Sequence, residues 1–185
     1  MKNKKRLISG ALFTLLTHSA IANDNGIENS ILVNQLSLAS AIQAAQVSIS
    51  TCRKGDHKVS ATVVDQYGQV QVLLRDTSAS IISTELSKKK AFTAVNFRKN
   101  TIQLADLSDT AVGRTEGVLM SAGGVLIKVD EIIYGAVGVS GSSSGASDDT
   151  CAAAGAEAII EALKNDKAKA EAKEVEEATE NQKKE

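Results

Sequence analysis

The chain has 185 residues, with 21 basic and 22 acidic side chains and a net charge of −1, and it contains no proline or tryptophan and only two cysteines and two histidines. That balance argues against a partner built of phosphate backbone, because nucleic-acid binders carry a basic footprint. With so few Cys and His, a zinc site of the usual ligand set cannot be assembled from one chain.

The first 22 residues read as a secretory signal peptide. Lys2, Lys4, Lys5 and Arg6 form a basic start, Leu7 to Leu16 is an apolar stretch, and Ala20-Ile21-Ala22 supplies a small-x-small cleavage pattern. An apolar run of ten residues is short of the about 20 that span a bilayer. The expected product starts at Asn23, carries 17 basic and 22 acidic residues for a net charge of −5, and lies in the periplasm or the external medium. It has no later run long enough to insert into a membrane.

Residues 23–35 form a polar leader. A first helix is expected over Ser37 to Arg53, with Ser37 as N-cap, Leu38, Ile42, Ala45, Ile49 and Cys52 on one stripe, and Gly55 just past its end. A hairpin follows: Val59 to Val64, a turn at Asp65-Gln66-Tyr67-Gly68, and Gln69 to Leu74, with Val70, Val72 and Leu74 on one face. A second helix is expected over Ser83 to Arg98, with Glu85 in its first turn, where the helix dipole favours a negative charge. A short helical piece falls around Ile102 to Leu107. Three strands are then expected, at Gly117 to Ser121, Val125 to Val129 and Ile132 to Ser140, the last two joined at Asp130-Glu131. The flexible loop Gly141 to Ser147 leads to a final helix capped by Asp148, with Cys151, Gly155, Ile159 and Ala162 on one side. Residues 164–185 are a charged C-terminal tail that lacks an apolar face and is read as an extension outside the domain. Tight turns between consecutive strands imply an antiparallel sheet with helices packed on it, an α+β class.

Several motifs occur in order: Val63-Val64-Asp65-Gln66-Tyr67-Gly68, Lys90-Ala91-Phe92-Thr93-Ala94, Gly123-Gly124, Tyr134-Gly135-Ala136-Val137-Gly138-Val139-Ser140-Gly141, and Asp148 to Gly155. In these the chain resembles the GlcG/HbpS family over about residues 36–163. The resemblance implies a profilin-like domain with a five-stranded antiparallel sheet, assembly into a homo-oligomer, haem as cofactor, and a membrane sensor or envelope protein as a further partner. The sequence departs from the family pattern twice. Gly123-Gly124-Val125-Leu126 lacks the proline that usually follows the paired glycines, and Ile82 stands near the position of a histidine found in many relatives.

Haem iron takes His, Met, Cys or Tyr ligands, so His57 and Tyr67 are candidates, although His57 also fits an exposed loop residue. Tyr134, inside the strongest strand, fits core packing. Lys90 and Arg98 could pair with a propionate or another carboxylate, or form an ion pair; Arg75 has the same two readings. Lys90, Thr93, Arg98, Gly123, Gly124, Ser140 and Asp148 are the candidate ligand-binding set, with the Gly-rich loops lining a shared pocket; Asp148 also fits a helix cap. Cys52 and Cys151 fit a disulfide in an exported protein, or two small buried hydrophobes. No nucleophile is paired with a base, so no catalytic residue is named. The leading expectation is an exported, non-enzymatic haem-binding or haem- and redox-sensing accessory protein. The alternatives are a ligand-free redox accessory protein using the cysteine pair, and an enzyme acting on haem or a small organic acid.

Overall fold

A computed structural model of the chain describes residues 33–182. The expected signal peptide, its cleavage site and all of the leader before Val33 lie outside these residues. Helix α1 spans Leu38–Lys54, strands β1 and β2 span Ser60–Asp65 and Val70–Arg75, and helix α2 spans Ile82–Phe97. Short 3-10 segments at Thr101–Leu107 and Val112–Arg114 lead to β3 (Gly124–Val129), β4 (Ile132–Ser140) and the long helix α3 (Gly145–Gln182). The strands form one antiparallel sheet in the order β2-β1-β4-β3.

Local chemistry sets most of the boundaries. The Ser37 hydroxyl accepts the Ser40 N–H at 3.1 Å and caps α1. At the β1–β2 turn the Asp65 carboxylate accepts the N–H groups of Tyr67 and Gln69, both at 2.9 Å. The β3–β4 hairpin turns at Asp130, which takes a left-handed φ of 51°, a conformation that Asp tolerates better than most residues.

The α+β class stands, but the described residues form four strands rather than the five expected. The segment Gly117–Ser121 is a loop, because its backbone donors are spent elsewhere. The Leu119 N–H donates to the Thr93 hydroxyl at 2.8 Å, and the Val118 N–H closes a turn on the Thr115 carbonyl. Two other boundaries move. α2 begins at Ile82, one residue early. α3 begins at Gly145, because Ser144 rather than Asp148 caps it: the Ser144 hydroxyl accepts the Ser147 N–H at 3.1 Å.

The sheet is covered on both faces. On one side Val63, Val72, Ile127, Val137 and Val139 pack against α1 and α3; on the other Val64 and Ala136 meet Ala91, Ala94 and Val95 of α2. The α2 side also holds a polar layer, in which Ser60 bonds Ser83 at 2.7 Å and Thr62 bonds Ser87 at 2.8 Å. Burial of these hydroxyls is tolerable because each finds a partner.

The buried face of α1 is Ala41, Ala44, Ala45, Ser48, Ile49 and Cys52, whereas Leu38 is 61% and Ile42 36% exposed. Ala45, Ile49 and Cys52 are thus buried as expected, whereas Leu38 and Ile42 fall outside the buried face. Contact with α3 explains it: a methyl group on Gly155 would stand 2.1 Å from the Ser48 hydroxyl and 2.4 Å from the Ala44 carbonyl. The two backbones approach so closely that only small side chains fit between them, and the larger Leu38 and Ile42 turn outward. Cys52 and Cys151 are joined in a disulfide, with Cα atoms 5.5 Å apart, that ties the end of α1 to the second turn of α3.

Past Leu163, α3 continues as a solvent-exposed helix to Gln182. Lys167 bonds Asp130 at 2.7 Å and stands 3.9 Å from Glu171. Its ammonium group holds the Asp130 carboxyl below the usual carboxylate range.

On the β2 side, Arg53 forks onto Asp76 with bonds of 2.8 and 2.6 Å. The guanidinium bond, against the cost of burial, holds the Asp76 carboxyl below its ordinary value. A carboxyl lowered in this way adds stability that is present above its unfolded pKa of about 3.9 and is lost as pH falls through the lowered folded value. Thermal melts of wild type and Arg53→Ala should therefore differ most near neutral pH and converge on acidification toward about pH 3. A gap that stays constant with pH would show that the pair is not formed in solution.

Candidate functional site

Where α2, the end of β4 and the start of α3 meet, they enclose an open pocket of about 430 Å³, within the range of small-molecule sites. Its floor holds Lys90 and Asp148, joined at 2.7 Å with side chains only 4% and 6% exposed. The second Asp148 oxygen accepts the Ser142 N–H at 3.0 Å. Both charges are thus neutralised and hydrogen-bonded, which a buried pair requires to be tolerated.

The glycines beside the pair make room for it. Gly123 has φ +118°, and a methyl group there would lie 2.9 Å from both the Lys90 Nζ and the Asp148 Cβ. Its N–H donates to Asp149 at 3.1 Å. Burial pushes the Asp149 carboxyl above the usual carboxylate range, opposed by that N–H and by the charge of Lys90.

The walls are of two kinds. Ile82, Leu86 and Leu119 form an apolar rim, with Ile82 itself 62% exposed; Ser80, Ser83, Ser121, Ser140, Ser142 and Ser144 supply hydroxyls around the rest. Ser140 is 4% exposed and lines the pocket, and its hydroxyl makes no hydrogen bond among the described residues.

Of the expected site residues, Lys90, Ser140 and Asp148 come together here. Thr93 does not line the pocket; its hydroxyl donates to the Lys89 carbonyl and accepts from Leu119, fixing the loop that carries the rim. Gly124 is held behind the pocket, donating to Thr101 at 2.8 Å. Arg98 is the exposed residue that ends α2, about 12 Å along the helix from Lys90. Arg75 lines a separate hollow with Arg53 and Asp76.

The candidate iron ligands are dispersed. His57 borders a small hollow beside the disulfide, with Thr51 and Thr150. Tyr67 is 57% exposed on the β1–β2 turn, at the end of the sheet away from Ser140. Tyr134 packs partly buried against the α1–α3 core. Sequence reading missed the serines of the rim and the start of α3. Ser144, a preferred N-cap residue just ahead of an alanine-rich stretch, was a signal for the start of α3; the other lining serines had none.

The chain belongs to the HbpS-like family, described as haem degrading protein HbpS-like, which it matches over residues 36–157. Its fold is similar to that of an HbpS double mutant from Streptomyces reticuli, with 31% identity and a TM-score of 0.68 over 71% of this chain and 92% of that one. It is also similar to a PduOC–haem complex, at 27% identity and a TM-score of 0.62, over 67% of this chain and 94% of that one. Corrinoid adenosyltransferase PduO of Salmonella typhimurium strain LT2 is 30% identical over 118 residues, 60% of this chain. The chain spans about one third of that relative's length.

Haem needs an apolar surface for its ring, donors for its two carboxylates and a ligand for its iron. The pocket provides the first in Ile82, Leu86 and Leu119, and the second in Ser140 and the neighbouring donors. Its lining contains no His, Met, Cys or Tyr. The donor set fits the periphery of a haem and offers its iron no axial bond.

Proposed function

We propose that the protein is an exported, non-enzymatic haem-binding accessory protein that works as a homo-oligomer. The observation that carries this reading is the combination of an exposed apolar rim with hydroxyl-lined walls in a member of a family described as haem degrading protein HbpS-like. Bound haem would supply a redox-active iron. Burial of its ring against Ile82, Leu86 and Leu119 contributes roughly 25 cal/mol per Å² of apolar area covered. Ile81 and Ile82 are 76% and 62% exposed, and Ile82 lines the pocket. A second copy of the chain covering that side would enclose the ligand, which favours assembly.

Titration of the mature protein with hemin tests the reading. The expected result is modest affinity and a broad, weakly shifted Soret band, because ring contacts remain without an axial ligand from the pocket. Ile82→His places an imidazole on the rim and should sharpen the band and tighten binding about tenfold or more, the effect of roughly 1.4 kcal/mol. His57→Ala should change little, since His57 borders a different hollow. If wild type gives no shift beyond free hemin and Ile82→His gives none either, the haem reading fails.

A further inference from the structure

We propose that the polar end of this pocket is a carboxylate-binding site, built from the Ser140 hydroxyl and the first free amides of α3. The claim deepens the haem-binding reading but does not depend on it. The carboxylate could come from a haem propionate or from a small free carboxylic acid.

The argument begins with Ser140. Its backbone is fixed in β4, paired with Ser60 of β1, and its side chain lies on the α2 face of the sheet. The other hydroxyls of that polar layer are all spoken for: Ser60 on Ser83, Thr62 on Ser87 and Thr93 on Lys89 and Leu119. Ser140 alone among these is left without a partner, although it is only 4% exposed and borders the pocket. The Ser140 oxygen is not sealed in the way that Gln71 Oε1 is, so it stays reachable from the pocket, where a ligand can take the bond that the fold leaves open.

The remaining groups select the ligand's charge. α3 runs for 38 residues from Gly145, and its dipole places a partial positive charge at the pocket. The N–H of Ser147 is taken by the Ser144 cap, and that of Asp148 by the Ser144 carbonyl. Gly145, which lines the pocket, has an N–H with no acceptor among the described residues. Asp148 is engaged on one oxygen by Lys90 and on the other by the Ser142 N–H, and its charge is balanced by Lys90. The pocket therefore offers unspent donors beside a carboxylate that is already neutralised. An oxygen-rich anion of the size of one carboxylate satisfies the donors; an ammonium group would leave them unmet.

The test uses the mature protein and Ser140→Ala, which removes one oxygen and leaves the β ladder intact. Three probes are titrated: hemin, hemin dimethyl ester, whose carboxylates are masked, and succinate. Hemin and its ester are followed by absorbance, and succinate by amide chemical shifts in NMR spectra. A propionate source predicts that hemin binds wild type about tenfold more tightly than the ester, and that Ser140→Ala removes most of that difference without altering ester binding. A free-acid source predicts saturable succinate shifts centred on Ser140, Ser142 and Gly145, weakened about tenfold in Ser140→Ala, the loss expected for one hydrogen bond to a charged group. Either pattern supports the site. If hemin binds but the ester binds equally well, and succinate shifts nothing, the carboxylate site is overturned while haem binding stands. If succinate binds through Ser140 and hemin does not bind, the site stands and the haem reading falls.

Discussion

Replacing Lys90 by Met is expected to destabilise the protein by about 3–5 kcal/mol, because the substitution strands the Asp148 carboxylate in a buried position. In the native fold that carboxylate is 6% exposed and holds the Lys90 ammonium at 2.7 Å. The Met side chain fills the space of the lysine stem, so packing loss is small and the effect isolates the uncompensated charge. Adding Asp148→Asn should recover most of the loss: a neutral amide can still accept the Ser142 N–H through its carbonyl oxygen, and no charge remains buried. Urea unfolding of the single and double variants at neutral pH measures the coupling directly. A loss below about 1 kcal/mol for Lys90→Met would show that water reaches the pair and that it behaves as a surface bridge.

Reducing the Cys52–Cys151 disulfide should have an effect of similar size through a different route. The bridge closes a separation of 99 residues, for which the chain-entropy model gives about 4.7 kcal/mol through restriction of the unfolded chain. With a urea dependence of about 2 kcal/mol per molar for a small domain, the unfolding midpoint should fall by about 2 M on reduction. The two cysteines are 1% and 4% exposed, so reduction should proceed mainly through opening of the fold and be slow in native buffer. Equal midpoints for oxidised and reduced protein would contradict the expected contribution. Cys151 lies one helical turn from Asp148, so a variant lacking both the bridge and Lys90 should not show simple additivity.

The elements that were legible in the sequence are those whose cause is local. Ser37 caps α1, Asp65 organises the first turn and Asp130-Glu131 makes the second, each within a few residues of the groups it satisfies. The cysteine pair was legible for a related reason: few residues competed for the role, and both sat on apolar faces of helices. What escaped was decided across the chain. The buried face of α1 is set by contact with Gly155, more than a hundred residues from its start, so that periodicity placed Ala45, Ile49 and Cys52 correctly but not Leu38 and Ile42. The segment Gly117–Ser121 has the composition of a strand, but the Thr93 hydroxyl takes the Leu119 N–H that a ladder would need.

The candidate site divides in the same way. Lys90, Ser140 and Asp148 stood out by residue type and motif, and they converge. Thr93 and Gly124 belong to the same motifs, yet they hold the pocket's supports rather than its walls. No spacing rule separates these roles, because the distinction depends on which way α2 faces the sheet. The rim residues Leu86 and Leu119 carry no polar chemistry to mark them; Leu86 is one helical turn from Ile82 on α2, and the fold brings Leu119 beside both.

The continuous helix α3 links two ends with different surroundings. Its first turn walls the pocket, and at 1.5 Å per residue its 38 residues reach about 57 Å. The last stretch projects from the sheet as a charged rod whose base is pinned by Lys167 to Asp130. A fluorophore or surface tether placed near Gln182 would therefore sit roughly 50 Å along the rod from the pocket. A dye or support attached at that end is therefore held well clear of the pocket walls.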